Sequence, residues 1–114
     1  MNPSPREEAV LAVAAHIPRG RLVSYGDIAA MLSDLACTPR QVAGALSRYG
    51  GGVPWWRVVQ SAGTLAPQVA ETATERLRAE GVEVRGRRVD LVALRWEPDV
   101  EHLQAMVRGG GPAG

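Results

Sequence analysis

The chain has 114 residues, 46% of them hydrophobic, a formal net charge of +1 and a single cysteine, Cys37. These figures fit one domain with an ordinary core and exclude an internal disulfide, a multi-cysteine metal site and a chain that binds nucleic acid through overall positive charge. No run approaches the ~20 apolar residues of a membrane-spanning helix, and Met1 to Glu8 lack the charged-then-apolar layout of a signal peptide, so a cytoplasmic protein is expected.

Ser4-Pro5-Arg6-Glu7 carries the marks of a helix start, with Ser as N-cap, Pro at the first position and Glu three residues after the cap. Val10, Leu11, Val13, Ala14 and Ile17 continue it as an apolar stripe that ends at Pro18-Arg19-Gly20. Ser24-Tyr25-Gly26-Asp27 repeats the cap pattern before a short helix, and Thr38-Pro39-Arg40-Gln41 opens another that Gly50-Gly51-Gly52 terminates. Two short helices so joined form a helix-turn-helix candidate. Val53-Pro54-Trp55-Trp56-Arg57-Val58-Val59 reads as an extended, β-branched segment that places its two indoles on opposite faces. Gln60 to Thr64 reads as a turn, and Val69 to Glu80 as a helix with Gly81 as its C′ residue. Val82-Glu83-Val84 and Val89-Asp90-Leu91-Val92 read as short strands. Leu103, Met106 and Val107 give a marginal last helix, and the domain is drawn over residues 1–104 with a flexible tail over 105–114.

The basic residues are all Arg, and between Pro18 and Gln60 five of them (Arg19, Arg21, Arg40, Arg48, Arg57) stand against Asp27 and Asp34. Arg suits phosphate forks and stacking on bases. His16, His102 and Cys37 lack the neighbours of a catalytic or metal site, and Cys37 reads as a packing residue.

Ile17-Pro18-Arg19-Gly20, Val23-Ser24-Tyr25-Gly26-Asp27-Ile28-Ala29, Pro39-Arg40-Gln41-Val42, Pro54-Trp55-Trp56-Arg57-Val58-Val59 and Glu80-Gly81-Val82 occur in that order. The series resembles the DNA-binding domain of the O6-alkylguanine-DNA alkyltransferases over about residues 5 to 97. In that family the loop reads Pro-Cys-His-Arg-Val; the Cys takes the alkyl group and the His helps deprotonate it. Trp55 and Trp56 stand at those positions here. An indole has no acidic proton near neutral pH and no useful nucleophile. The resemblance is thus to the alkyltransferase-like proteins, non-enzymatic binders that flag alkylated guanine for nucleotide excision repair.

The resemblance implies a mainly α fold with short strands, a winged-helix-like helix-turn-helix DNA-binding domain of the alkyltransferase C-terminal type. It implies minor-groove contact by Tyr25, Pro39, Arg40, Gln41 and Gly44, with Arg40 as the finger that replaces a flipped nucleotide and Tyr25 crowding the phosphate beside it. The implied lesion pocket comprises Tyr25, Trp55, Val58 and Val69, with the Trp55 and Val58 carbonyls accepting from the guanine amino group. Arg57 would brace the loop, and Glu80, at the acid of the catalytic relay, would keep only structural hydrogen bonds. No catalytic residue, metal or cofactor is expected. The expected partners are duplex DNA carrying alkylated guanine and nucleotide excision repair proteins, bound by a monomer in the cytoplasm or on the nucleoid. Departures from the family pattern are Ala43 in place of a Gly, a shortened Arg48-to-Gly52 link without Asn-Pro, and no basic residue in Leu65 to Val69. Two other readings stay open: a helix-turn-helix regulator, for which only Arg40, Gln41, Ser47 and Arg48 could read bases along the recognition helix, and a fold-only relative that binds no lesion.

Overall fold

The computed structural model describes residues 2–109. Each of the three expected caps is made by reciprocal bonds. At α1 (Pro5–His16) the Ser4 hydroxyl accepts from the Glu7 amide at 3.1 Å and Glu7 accepts from the Ser4 amide at 2.9 Å. Ser24 and Asp27 cap α2 (Tyr25–Met31) in the same way, with both bonds at 2.9 Å. Thr38 and Gln41 cap α3 (Pro39–Tyr49) at 3.1 and 2.9 Å. Such caps are worth ~1 kcal/mol each, and they set where each helix begins and which face it turns inward.

A 3-10 turn, Ser33–Leu35, and the left-handed Ala36 (φ 52°) connect α2 to α3. Val10, Val13, Ala14, Ile28, Val42, Ala45 and Leu46 of the three helices are buried together with the C-cap residues Ile17 and Leu32 and with Cys37. Fully burying one such Val, Leu or Ile contributes roughly 1.5–3 kcal/mol, so this cluster carries most of the fold. A second, smaller core joins Leu22, Val59, Leu65, Ala73, Leu77, Val82, Val84 and Leu91. Between them runs a short parallel ladder: β1 (Val23–Ser24) pairs with β2 (Val58–Val59) in the register Val23↔Val58. The Leu94-Arg95-Trp96 segment lies along Leu22, donating and accepting backbone bonds at 2.8 and 3.0 Å. Trp55 packs against both cores.

Several expectations are corrected. The segment around the two indoles is not extended: Pro54 sits at φ −75°, ψ 66°, and Trp55–Arg57 form a 3-10 turn before β2. The Trp55 amide reaches the Val53 carbonyl at 2.7 Å and the Arg57 amide reaches that of Pro54 at 3.1 Å; the fixed proline φ favours such an inverse γ-turn. Val82 to Val84 and Val89 to Val92 form no strands. Arg85 and Arg88 close a turn on each other, and Leu91–Leu94 form a helical turn, α5, because the Asp90 carboxylate accepts from the Ala93 amide at 3.0 Å. The helix placed from Val69 starts later: Pro67–Val69 form a 3-10 turn and α4 runs Ala70–Ala79. It ends at Gly81 (φ 83°), where the Val82 amide returns to the Leu77 carbonyl and the Gly81 amide to that of Arg78, both at 3.0 Å. The last helix, α6, spans Val100–Gly109 and places Leu103 in the main core, so residues 105–109 of the expected tail are helical. Residues 110–114 lie outside the described region.

Candidate nucleic-acid interface

On α3, residues 43 and 47 share one face with Leu46 beside them, and Gly50 follows at the C-cap. Ala43, Leu46, Ser47, Gly50 and Gly51 line a cavity of about 240 Å³, closed on its other sides by Tyr25, Trp55 and Val69. Tyr25 reaches it because the buried Ser24 cap places it at the first position of α2. Burial pushes the Tyr25 phenol above its ordinary value, so it stays neutral and can donate. Trp55 reaches it because the Pro54 turn swings the indole onto the seam between the two cores. Val69, expected in the lesion pocket, is 38% exposed at the cavity rim.

The structure thus brings Tyr25, Trp55 and Val69 to one cavity, but not the Val58 side chain, which is 4% exposed and packed in the main core. Pro39, Arg40 and Gln41 are exposed on the first turn of α3. The Arg40 side chain makes no hydrogen bond or ion pair to the described residues. The Gln41 side-chain oxygen is occupied by the Thr38 amide, which leaves its amide nitrogen to face outward. Gly44 is half-buried, and a Cβ there would lie 3.3 Å from Arg48 Nη1. Arg48 pairs with Glu7 of α1 at 2.7 Å, so the Arg48–Glu7 pair covers the side of Gly44 that a Cβ would occupy. Ala43, Ser47 and Gly51 were not read as pocket residues; the α3 spacing was the available signal.

Behind Trp55 the chain makes a polar knot. Glu80, 3% exposed at the end of α4, accepts from the Trp56 indole at 2.8 Å, from the Gly20 amide at 2.8 Å and from Arg57 at 2.7 to 3.0 Å. Arg57 also donates to the Ile17 carbonyl at 2.7 Å. Burial alone would push the Glu80 carboxyl up, but the bonds from Arg57, Gly20 and Trp56 and the Arg57 charge hold it below its ordinary value. Trp56 is half-buried with its ring edge-on to Trp55 at 5.8 Å, rather than on an opposite face. Cys37 is 8% exposed, does not line the cavity, and burial pushes its thiol up against the opposing charge of Arg6. Among the described residues no His, Cys, Asp and Glu group could hold a metal ion, and no helix is long and apolar enough to cross a membrane.

The family model for the DNA-binding domain of 6-O-methylguanine DNA methyltransferase matches residues 5–82. The chain belongs to this family. Among its relatives, the DNA base-flipping protein of Escherichia coli (strain K12) is 38% identical over 94 residues, covering 78% of this chain and 72% of that one. The DNA base-flipping protein of Vibrio parahaemolyticus is 34% identical over 96 residues, covering 78% of this chain and 93% of that one. The structure of S. pombe Atl1 in complex with damaged DNA containing O6-carboxymethylguanine aligns with a TM-score of 0.76 at 28% identity, over 86% of this chain and 100% of the other. The mainly helical, winged-helix-like architecture is therefore that of the methyltransferase DNA-binding family. In this member the Pro54–Val58 turn presents one indole to the cavity and ties the other to Glu80.

Proposed function

We propose that this protein recognises O6-alkylguanine in duplex DNA by turning the nucleotide out of the stack into the Tyr25–Trp55–Val69 cavity, without transferring the alkyl group. One observation carries the reading: Trp55, which stands where the family motif has its nucleophilic Cys, forms a wall of a cavity opening beside Tyr25 and α3. The relatives' base flipping and the lesion-bound relative support it. Extruding a base costs a few kcal/mol. Stacking on Trp55 returns ~1–3 kcal/mol, and the rest comes from Arg40 filling the vacated stack, Tyr25 against the phosphate and the cavity contacts. Pro39, Gln41 and Gly44 would lie along the minor groove. The reading includes no enzyme activity, since Cys37 is buried away from the cavity with a raised pKa. It also includes a monomer acting in the cytoplasm or on the nucleoid and a hand-off to nucleotide excision repair.

The test titrates the protein with matched duplexes that differ by one O6-methylguanine and weighs the protein afterwards. Tighter binding of the lesion duplex with no mass change is expected. Equal binding of both duplexes, or a stoichiometric methyl adduct, would refute it.

A further inference from the structure

The indole of Trp55 is a partition. On its far side Gly51, Gly52, Val53, Pro54, Trp56, Arg57 and Arg76 enclose a second cleft of about 340 Å³ that shares Gly51 and Trp55 with the first. Its floor is bare: a Cβ on Gly51 or on Gly52 would meet nothing within 4 Å. Its wall is aromatic, with Trp56 set edge-on to Trp55. Its cations differ in kind. Arg57 is spent on Glu80. Arg76, exposed on α4, lies 4.9 Å from the Trp56 ring centre and forms no ion pair among the described residues. Glu80, one helical turn further on, is held by Trp56, Gly20 and Arg57. The stack therefore holds a guanidinium in place, uncompensated, at the edge of an open cleft that begins where the lesion cavity ends.

We propose that this cleft receives the outer end of long O6-alkyl groups and that Arg76, held on Trp56, selects those ending in a carboxylate. The inference rests on the lesion-recognition reading above. A methyl group ends against Trp55, whereas a chain of several carbons passes the edge of the indole and meets Arg76. A planar guanidinium matches a carboxylate and gains nothing from a neutral alkyl end of equal length.

The experiment measures the affinities of wild type, Arg76→Ala and Arg76→Lys for duplexes carrying guanine, O6-methylguanine, O6-butylguanine or O6-(3-carboxypropyl)guanine. Wild type is expected to bind the carboxypropyl duplex about three- to tenfold more tightly than the butyl duplex, the range of one partly solvated charge-assisted contact. Arg76→Ala removes that preference and leaves O6-methylguanine binding within twofold. Arg76→Lys keeps only part of it, because an ammonium lacks the planar fork. The proposal is overturned if wild type shows no preference for the carboxypropyl over the butyl duplex. It is also overturned if Arg76→Ala weakens all four duplexes equally, which would mark a general phosphate contact. Failure of wild type to separate O6-methylguanine from guanine would instead bring down the recognition reading itself. Arg76 is exposed, so its variants are expected to melt with wild type; a shared loss of thermal stability would count against the assignment.

Discussion

Replacing Glu80 gives the sharpest test of how the loop bearing both indoles is held. Glu80→Ala removes the acceptor for the Trp56 indole, the Gly20 amide and the Arg57 guanidinium together. It leaves the Arg57 charge, 14% exposed in the intact protein, with the Ile17 carbonyl and the Trp56 ring face as its partners. Removing one member of a buried ion pair costs ~3–5 kcal/mol, a large share of the ~5–15 kcal/mol of a typical domain. With a urea m-value of about 2 kcal/mol/M, the midpoint should fall by roughly 1.5–2.5 M. Glu83→Ala serves as control. It breaks the Arg85–Glu83 pair, whose side chains are 83% and 72% exposed, so it should change stability by at most ~1 kcal/mol. The pH dependence has a definite sign. The folded Glu80 carboxyl lies below its ordinary value of 4.5, so its contribution is fully present above that value. It is lost as pH falls through the lower, folded value. The stability gap between wild type and Glu80→Gln should therefore narrow on acidification below about pH 4.5. A midpoint shift for Glu80→Ala no larger than that of Glu83→Ala would show that the knot does not hold the loop.

Trp55→Ala should weaken O6-methylguanine binding by ~1–3 kcal/mol. It should also destabilise the fold by about half the ~3–5 kcal/mol of a fully buried Trp, because its half-buried ring spans both cores. Trp56→Ala should cost ~1–3 kcal/mol of stability through the lost bond to Glu80 while leaving that affinity within twofold; urea denaturation and lesion titration of both variants would expose a reversed assignment. Arg40→Ala and Tyr25→Ala should each cut lesion-duplex affinity at least tenfold with little change in melting temperature for the exposed Arg40, and unchanged affinity in both would remove them from the interface. Five arginines near the site suggest a log–log salt slope of roughly −3 to −4.5. The structure commits Arg48 to Glu7 and Arg57 to Glu80, so roughly −2 to −3 is expected; a measured slope near −5 would mean that a larger basic surface takes part.

The helix starts were legible because their causes are local. Ser4 with Glu7, Ser24 with Asp27 and Thr38 with Gln41 each satisfy backbone groups three residues apart, and no distant contact is needed to decide them. Tyr25 and Arg40 could be placed at the starts of their helices for the same reason. The structural roles of Arg57 and Glu80 were also read correctly, though on the resemblance rather than on spacing. The strands read at Val82 and Val89 failed. Their β-branched composition was outweighed by the Asp90 cap and by a turn in which Arg85 and Arg88 bond each other.

The sequence by itself determined the helical order and the caps that put Tyr25 and Arg40 in the first turns of their helices. Only the tertiary structure decided where the indoles point. Pro54 admits both an extended and a turned ψ, and the turn places Trp56 against Glu80, 24 residues away, and Arg57 against Ile17, 40 residues away. It likewise decided which arginines remain free, because Arg48 meets Glu7 across 41 residues and Arg57 meets Glu80 across 23. Pairings at that range depend on which helix faces meet once the two cores close, and no local pattern of residues encodes them.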